Sequence, residues 1–218
     1  MKNYHFDEIF KILKKEVKKY NVPVVTLYSL NKNVFHVLIS CLLSLRTRDE
    51  ITAKVCEPLF KTVKKPEDII KIGLSRLRKK IRSVNFYKTK AKKIYDICKV
   101  LVKKYNSKVP MTEDELLELK GVGRKTMNIV MAYGHNKKGF VAIDVHCHRI
   151  PNRLGWIKTK KPEETEIKLK EILPKKYWWD FNNIFVAFGQ SICNPISPKC
   201  SICPIFKYCK RVGVTKSR

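Results

Sequence analysis

Acidic residues are scarce in this 218-residue sequence, where 19 Asp and Glu face 47 Lys and Arg for a formal net charge of +28. A positive field of this size attracts polyanions and repels cationic ligands. The basic residues are spread along the chain and 44% of all residues are hydrophobic, so a folded surface carries the charge rather than a disordered arm. The composition therefore predicts a nucleic-acid partner.

Long apolar segments are also missing. No run reaches the roughly 18 residues of a membrane span, and the first residues, MKNYHFDE, lack the character of a signal peptide. The sequence has no internal repeat, no low-complexity stretch and no long flexible linker, so two domains would have to be intimately packed. These absences predict a cytoplasmic, nucleoid-associated protein without membrane contact.

Strand-like alternation is rare, and apolar residues recur mostly at helical spacing. Near the N-terminus these positions are Phe6, Ile9, Phe10, Leu13 and Val17. The segment 34–45 is apolar around most of its circumference, as in a helix buried inside a bundle. Further helices are predicted at about 50–63, 67–72, 75–82, 88–105, 112–119, 124–133, 144–153, 162–172 and 177–190. The sequence thus predicts an all-α fold.

Residues 112–133 predict a helix, a tight hairpin and a second helix. Thr112 and Glu115 fit a capping box at the start of the first helix, and Gly121 and Gly123 lie in the hairpin. A backbone that turns tightly and presses its N–H groups against phosphates leaves no room for side chains, so both positions would need glycine. The segment predicts a contact with nucleic acid that does not depend on base sequence.

The eight cysteines form two populations. Four are isolated in apolar helical patterns and are expected to be buried, unreactive side chains: Cys41, Cys56, Cys98 and Cys147. The other four are separated by six, two and five residues: Cys193, Cys200, Cys203 and Cys209. The lack of a secretory signal disfavours local disulfides, whereas the spacing alone suits a zinc ion and an iron–sulfur cluster equally well.

Three segments together carry a family resemblance: Leu119–Lys125 (LKGVGRK), Ile143–His146 (IDVH) and the four-cysteine spacing, which is the most specific. They resemble the endonuclease III family of the helix-hairpin-helix DNA glycosylase superfamily over nearly the whole chain. The resemblance implies two intimately packed helical domains with a DNA-binding cleft between them. One is a six-helix domain over residues 27–137, which contains the helix-hairpin-helix. The other, formed by residues 1–26 and 138–218, holds a [4Fe-4S] cluster on the four clustered cysteines.

The resemblance also implies a chemistry. Its lysine nucleophile corresponds to Lys125, in the first turn of a helix whose dipole, together with neighbouring Arg124, favours the neutral amine. Its catalytic carboxylate corresponds to Asp144, which is also the predicted N-cap of the helix 144–153. The implied function is removal of oxidised or damaged pyrimidines from duplex DNA by a monomer, with cleavage at the abasic site through a lysine Schiff base.

Two other functions remain as alternatives. Mismatch glycosylases of the superfamily act without strand cleavage, but they usually lack the lysine that this chain has at position 125. A non-catalytic iron–sulfur protein that binds DNA would account for the charge and the cysteines. It would leave the coincidence of Lys125 and Asp144 unexplained.

Further residues are candidate DNA contacts. They are Lys120, Gly121, Gly123 and Arg124 in the hairpin, and Lys199 and Lys207 in the implied cluster loop at 193–209. Phe86 aligns with the wedge loop of the family, which usually has an aliphatic residue there, so stacking is expected to fill the gap left by an extruded base. Arg46 stands where the family commonly has glutamine and is expected to bind a base edge or a phosphate. His146 and His148 are expected to make surface or phosphate contacts.

Overall fold

The computed structural model describes residues 4–20, 23 and 33–218. Within these ranges the ordered secondary structure is helical, with no β-strand, as the all-α prediction requires. The α-helices in chain order are α1 (Phe6–Glu16), α2 (Val34–Ser44), α3 (Asp49–Thr62), α4 (Pro66–Ile72), α5 (Leu74–Lys80), α6 (Tyr87–Tyr105), α7 (Glu113–Glu118), α8 (Arg124–Ile129), α9 (Val145–Leu154), α10 (Pro162–Ile172) and α11 (Trp178–Ser191). None of these helices has the length and apolar character needed to cross a bilayer.

The chain divides into two compact units. One consists of Met1–Pro23 together with Lys138–Arg218, and the other of Val24–Lys137. We call them the terminal unit and the central unit. The domain boundary predicted between residues 26 and 27 lies outside the described residues.

Helix α2 forms the middle of the central unit. The side chain of Asn33 accepts a hydrogen bond from the backbone N–H of His36 at 3.1 Å, which starts the helix at Val34. Every residue from Phe35 to Leu43 is buried, and α2 packs against α3, α6 and α8. The prediction of a core helix at 34–45 is therefore confirmed, and the chain leaves this core immediately before Arg46.

The helix predicted at 124–133 does not keep one geometry. Helix α8 covers Arg124–Ile129, and the backbone then widens into a π turn over Val130–Gly134. Both parts are packed against α2, so burial rather than helix type explains the apolar pattern of this segment. Apolar periodicity cannot distinguish these two helical geometries over so few residues.

The predicted capping box at the start of α7 is wrong in its hydrogen bonds. Thr112 is the N-cap of α7, but its side chain makes no bond to the helix backbone. The hydroxyl of Thr112 instead donates to Oε2 of Glu115 at 2.6 Å. The side chains of Thr112 and Glu115 are therefore paired with each other and not with the free backbone N–H groups at the start of the helix.

The terminal unit has an aromatic core built from segments that are distant in sequence. Phe10 of α1 stacks on Tyr177 with ring centroids 4.0 Å apart, and Phe181 stacks on Phe185 within α11 at 4.2 Å. Residues of α9 and α10 complete the same buried cluster. Because α1 contributes Ile9, Phe10 and Leu13 to this core, the N-terminal helix is an integral part of the unit.

The four isolated cysteines are buried, as predicted. Burial raises the pKa of the Cys41 and Cys56 thiols to about 12. At neutral pH these thiols are therefore protonated and behave as small apolar side chains. They need no role in the chemistry of the protein.

Candidate functional site

The hairpin between α7 and α8 is closed by a hydrogen bond from Val122 N to Leu119 O at 2.8 Å. Gly121 has a φ of +111°, and a Cβ there would lie 3.1 Å from Cδ of Lys93, so the turn itself requires glycine. Gly123 has a φ of −101°, and a Cβ there would meet nothing within 4 Å. The turn itself therefore does not require glycine at 123, and the close approach of a phosphate, which was the other reason inferred from the sequence, stays a prediction.

Lys125 lies in the first turn of α8, directly after the hairpin. Its side chain is half-buried, whereas those of Lys120 and Arg124 are exposed. The charge of Lys125 opposes part of the burial effect that raises the pKa of Cys41, a residue of the core helix α2. The structure therefore holds this lysine at the edge of the core of the central unit.

Arg46 and Phe86 meet in the central unit, although the sequence suggested two separate contacts. Arg46 Cζ lies 5.2 Å from the centroid of the Phe86 ring. Both residues have left-handed backbone, with φ of 55° and 58°. We call them the wedge pair, and Phe86 is 59% exposed.

Lys90 lies beneath the wedge pair and was missed by the sequence reasoning. Its side chain is 7% exposed, and Nζ donates to the carbonyl of Leu43 at 2.6 Å and to the hydroxyl of Thr47 at 2.7 Å. Burial lowers the pKa of Lys90 to about 8. A signal was present in the sequence, because Lys90 occupies the apolar stripe of α6 with Ile94, Ile97 and Leu101.

In the terminal unit Asp144 is the N-cap of α9, as predicted. Oδ1 accepts hydrogen bonds from the backbone N–H groups of His146 at 2.9 Å and Cys147 at 2.8 Å. These two bonds cap the first turn of the helix and fix the orientation of the carboxylate. Since both bonds end on Oδ1, the second oxygen is left for another partner.

His146 and His148 make contacts within the terminal unit, and the phosphate contacts expected for them stay a prediction. Both side chains are half-buried. Nδ1 of His148 lies 2.6 Å from the hydroxyl of Thr165, and Nδ1 of His146 lies 3.0 Å from Nη2 of Arg149. These imidazoles contribute to the packing of α9 inside the terminal unit.

The four clustered cysteines line one pocket of the terminal unit, whose other walls are mostly apolar and include Ile150, Leu154 and Phe188. Burial raises the pKa of the Cys203 thiol to about 12, and the nearby thiols of the other three cysteines act in the same direction. In the ranges that the structure describes, no group of three or more His, Cys, Asp or Glu side chains meets the geometry for a metal ion.

Hydrogen-bond donors point at the sulfur atoms of this pocket. Arg153 Nη1 donates to Cys193 Sγ at 3.3 Å, and the backbone N–H of Arg211 donates to Cys209 Sγ at 3.4 Å. Arg149 also donates to the carbonyl of Cys193 at 2.7 Å. Four soft thiol ligands, an apolar surround and N–H donors to sulfur fit a metal–sulfur group. Arg149 and Arg153 were not anticipated from the sequence.

The two lysines predicted in the cluster loop differ in setting. Lys207 is exposed and its Nζ lies 4.8 Å from the centroid of the Tyr208 ring. Lys199 is half-buried and lines the cysteine pocket. Their contact with DNA stays a prediction.

Comparison with known families decides what kind of protein carries these features. A family model described as HhH-GPD superfamily base excision DNA repair protein matches residues 39–175, which is more than half of the chain. The chain belongs to the HhH-GPD superfamily. Its helix-hairpin-helix and the Asp144 cap both lie inside the matched HhH-GPD region.

Individual relatives of this HhH-GPD protein are named endonuclease III, the family that the sequence motifs resemble. Endonuclease III of Thermotoga maritima is 46% identical over 176 residues, which cover 81% of this chain and 82% of the relative. Endonuclease III homolog 2, chloroplastic, of Arabidopsis thaliana is 39% identical over 183 residues, which cover 80% of this chain and 47% of that longer protein.

Solved structures support the same HhH-GPD fold. A non-covalent endonuclease III–DNA complex matches with a TM-score of 0.84 and 32% identity over 97% of both chains. A trapped endonuclease III–DNA covalent intermediate matches with a TM-score of 0.81 and 32% identity. A thermostable thymine-DNA glycosylase, at 24% identity and a TM-score of 0.72, supports the fold alone. The resemblance to the endonuclease III family inferred from the sequence is confirmed.

Proposed function

We propose that this chain is a bifunctional base excision repair enzyme. It removes oxidised pyrimidines from duplex DNA and cleaves the strand 3′ to the resulting abasic site. The observation that carries the proposal is the half-buried Lys125 at the start of α8, directly after the Gly121 turn, in a member of a base excision repair superfamily. A lysine held at that place is a nucleophile that a mismatch glycosylase or a mere DNA-binding protein does not need.

The proposed reaction begins with the neutral amine of Lys125. Its lone pair attacks the sugar C1′ of an extruded nucleotide, the bond from C1′ to the base breaks, and the base leaves with the bonding electrons. Loss of the amine proton and opening of the sugar give an imine between Lys125 and C1′. Removal of a proton from C2′ then expels the 3′ phosphate by β-elimination, and water releases the lysine.

Asp144 is proposed as the carboxylate of this reaction. The two N–H bonds to Oδ1 hold the side chain in a fixed orientation. A fixed anion of this kind favours the positive charge that develops on the sugar, and it can accept a proton from the attacking amine. The capping role and the catalytic role are compatible, because the cap uses one oxygen.

The test of the proposal is borohydride trapping on duplex DNA that contains an abasic site or thymine glycol. Lys125→Gln should form no covalent adduct, whereas Lys103→Gln, a change at an exposed lysine of α6, should trap like the wild type. Asp144→Asn retains an N-capping side chain, so it should stay folded and lose about 100-fold in rate. If intact protein bound DNA but formed no adduct, the lyase would be excluded and a monofunctional glycosylase or a binding protein would remain.

We propose that a [4Fe-4S] cluster is bound by Cys193, Cys200, Cys203 and Cys209. The supporting observations are the shared pocket, the four thiols and the N–H donors to two of the sulfur atoms. When bound, the cluster supplies four metal–thiolate bonds that shape the basic loop 193–209 for contact with DNA. The protein supplies the thiolates, the apolar surround and the charge of Arg153 beside Cys193.

Metal analysis of the purified protein tests the cofactor. We expect about four iron atoms per chain and a brown colour, because each cluster holds four irons on four thiolates. Cys200→Ser should reduce the iron content severely, whereas Cys56→Ser, at a buried cysteine outside the pocket, should retain it. One zinc ion per chain in place of iron would contradict the cluster.

The proposed partner is duplex DNA with a damaged base or an abasic site, bound by a monomer. The net charge of +28 supports a polyanionic partner. Lys120, Arg124, Lys199 and Lys207 are the proposed phosphate contacts. The wedge pair is proposed to fill the gap that an extruded nucleotide leaves in the duplex.

A further inference from the structure

Lys90 is a buried cation that the proposed reaction does not use. Removing an ammonium from water is unfavourable unless hydrogen bonds and opposite charge compensate for the lost hydration. Part of that compensation comes from the carbonyl of Leu43, because the last turn of α2 presents the negative end of a helix dipole. A methionine would fill a similar volume without burying a charge. What lysine provides at this position, and methionine cannot, is the pair of hydrogen bonds from Nζ.

These hydrogen bonds hold two loops at once. Lys90 Nζ binds the Leu43 carbonyl and the Thr47 hydroxyl, which lie on either side of Arg46 in the chain. The same Thr47 hydroxyl accepts the backbone N–H of Asn85 at 3.2 Å, and the Asn85 amide donates to the Arg46 carbonyl at 2.6 Å. The network therefore fixes the residues that flank both members of the wedge pair.

The backbone of the wedge pair needs such support. Left-handed φ values are unfavourable for residues with side chains and persist where surrounding contacts hold them. Arg46 and Phe86 both have that conformation, and the guanidinium of one stacks on the ring of the other. Loss of the bonds beneath would free each loop to relax independently.

We propose that Lys90 is a positioning residue for base extrusion. From inside the fold it locks the two loops together, so that Arg46 and Phe86 enter the duplex as one preformed stack. The inference rests on the proposed function, because a wedge is useful only where a nucleotide leaves the duplex. A preformed stack loses little side-chain freedom when it fills the gap, so more of the unstacking free energy is recovered.

The test compares Lys90→Met with Lys103→Met, which removes the same charge from an exposed site at the other end of α6. The DNA is a duplex with 2-aminopurine opposite an uncleavable abasic analogue, and fluorescence at saturating protein reports unstacking without any chemistry. We expect the rate of the fluorescence rise to fall at least about tenfold in Lys90→Met and to stay at the wild-type value in Lys103→Met. Thr47→Val removes one hydroxyl and keeps the packing, and it should also lower the rate of the fluorescence rise.

A double-mutant cycle with Phe86→Ala tests the route of the effect. If Lys90 acts through the wedge pair, adding Lys90→Met to Phe86→Ala should lower the rate by no more than about twofold further. Losses that multiply in the double variant would overturn the inference. Wild-type kinetics in Lys90→Met or in Thr47→Val would overturn it as well, and thermal unfolding shows that each variant is folded at the temperature of the assay.

Single-stranded DNA separates positioning from a general structural role. A single strand has no gap to fill, so Lys90→Met should trap an abasic site in single-stranded DNA within about twofold of the wild type, while it is impaired on duplex. Equal losses on both substrates would overturn the inference.

If the proposed lyase function is wrong and the inference is right, the two assays disagree. The wild type then traps no adduct on any DNA, while the 2-aminopurine fluorescence still reports unstacking by the wedge pair. If DNA-bound wild type gave no fluorescence rise, the inference would be overturned whatever the result of trapping.

Discussion

Gly121 and Gly123 lie two positions apart in one hairpin, yet the structure gives them different reasons to be glycine. Gly121 has a positive φ and faces the Lys93 side chain. Gly123 has an ordinary φ and open space where a Cβ would be. The first glycine therefore serves the fold, and the second becomes necessary only if something outside the chain approaches it.

Alanine at each position separates these roles. Gly121→Ala should lower the free energy of unfolding by about 1–2 kcal/mol, because alanine is strained at positive φ. Gly123→Ala should change it by less than about 0.5 kcal/mol but weaken duplex DNA binding roughly tenfold, because the methyl group occupies the space proposed for a phosphate. Urea unfolding and fluorescence anisotropy measure the two effects. If Gly123→Ala bound duplex DNA with wild-type affinity, the backbone at position 123 would not contact a phosphate.

At the scale of a helix, α6 links the stability of the central unit to pH. Burial lowers the pKa of Lys90 to about 8 from the value near 10.5 of an exposed lysine. Between these two values the unfolded chain binds more protons than the folded one, so the stability of the wild type rises with pH. The unfavourable effect of the buried ammonium is fully present below about pH 8 and is lost as the pH approaches 10.5.

This linkage predicts how Lys90→Met differs from the wild type. The difference in unfolding free energy between the two proteins should change in favour of the wild type as the pH rises from 7 to 10. Urea unfolding at a series of pH values measures it. Lys103→Met is the control, since it removes an exposed lysine of the same helix. Parallel stability curves for the wild type and Lys90→Met would show that Lys90 titrates normally.

Most helices could be predicted because their pattern is local. The apolar stripes of α1 and α6 recur at helical spacing, and the Asp144 cap lies directly before α9. Hydrogen bonds at helix ends were harder to predict, as Thr112 and Glu115 show, because their side chains can bond to the backbone or to each other with similar free energies. Family membership could be predicted because its motifs are short and contiguous.

At the scale of the whole molecule, the scarce carboxylates are widely paired with lysines. Ion pairs on the surface include Lys104 with Glu118 at 2.6 Å and Lys92 with Asp96 at 2.8 Å. Such exposed pairs contribute about 0–1 kcal/mol each to stability. Since 19 acidic residues cannot neutralise 47 basic ones, most of the positive charge remains available to a polyanion.

The meeting of the wedge pair could not be predicted from the sequence. Arg46 and Phe86 lie in loops that follow α2 and precede α6, and their contact depends on how these two helices pack. The role of Lys90 depends on the same packing, because a lysine in an apolar stripe can also extend along the surface to reach water. The pocket of four cysteines differs in this respect, because these cysteines fall within 17 residues of one loop, 193–209.

The network beneath the wedge pair ends on backbone atoms of Leu43, Arg46 and Asn85, on the side-chain amide of Asn85 and on the hydroxyl of Thr47, not on the side chains of Arg46 or Phe86. The hydrogen-bonded frame does not depend on the side chains of Arg46 and Phe86 that it presents. Side chains at 46 and 86 can be exchanged during evolution, or randomised in a library, while the frame that presents them stays intact. A repair enzyme built in this way can acquire a new preference for the base opposite the lesion without first rebuilding its fold.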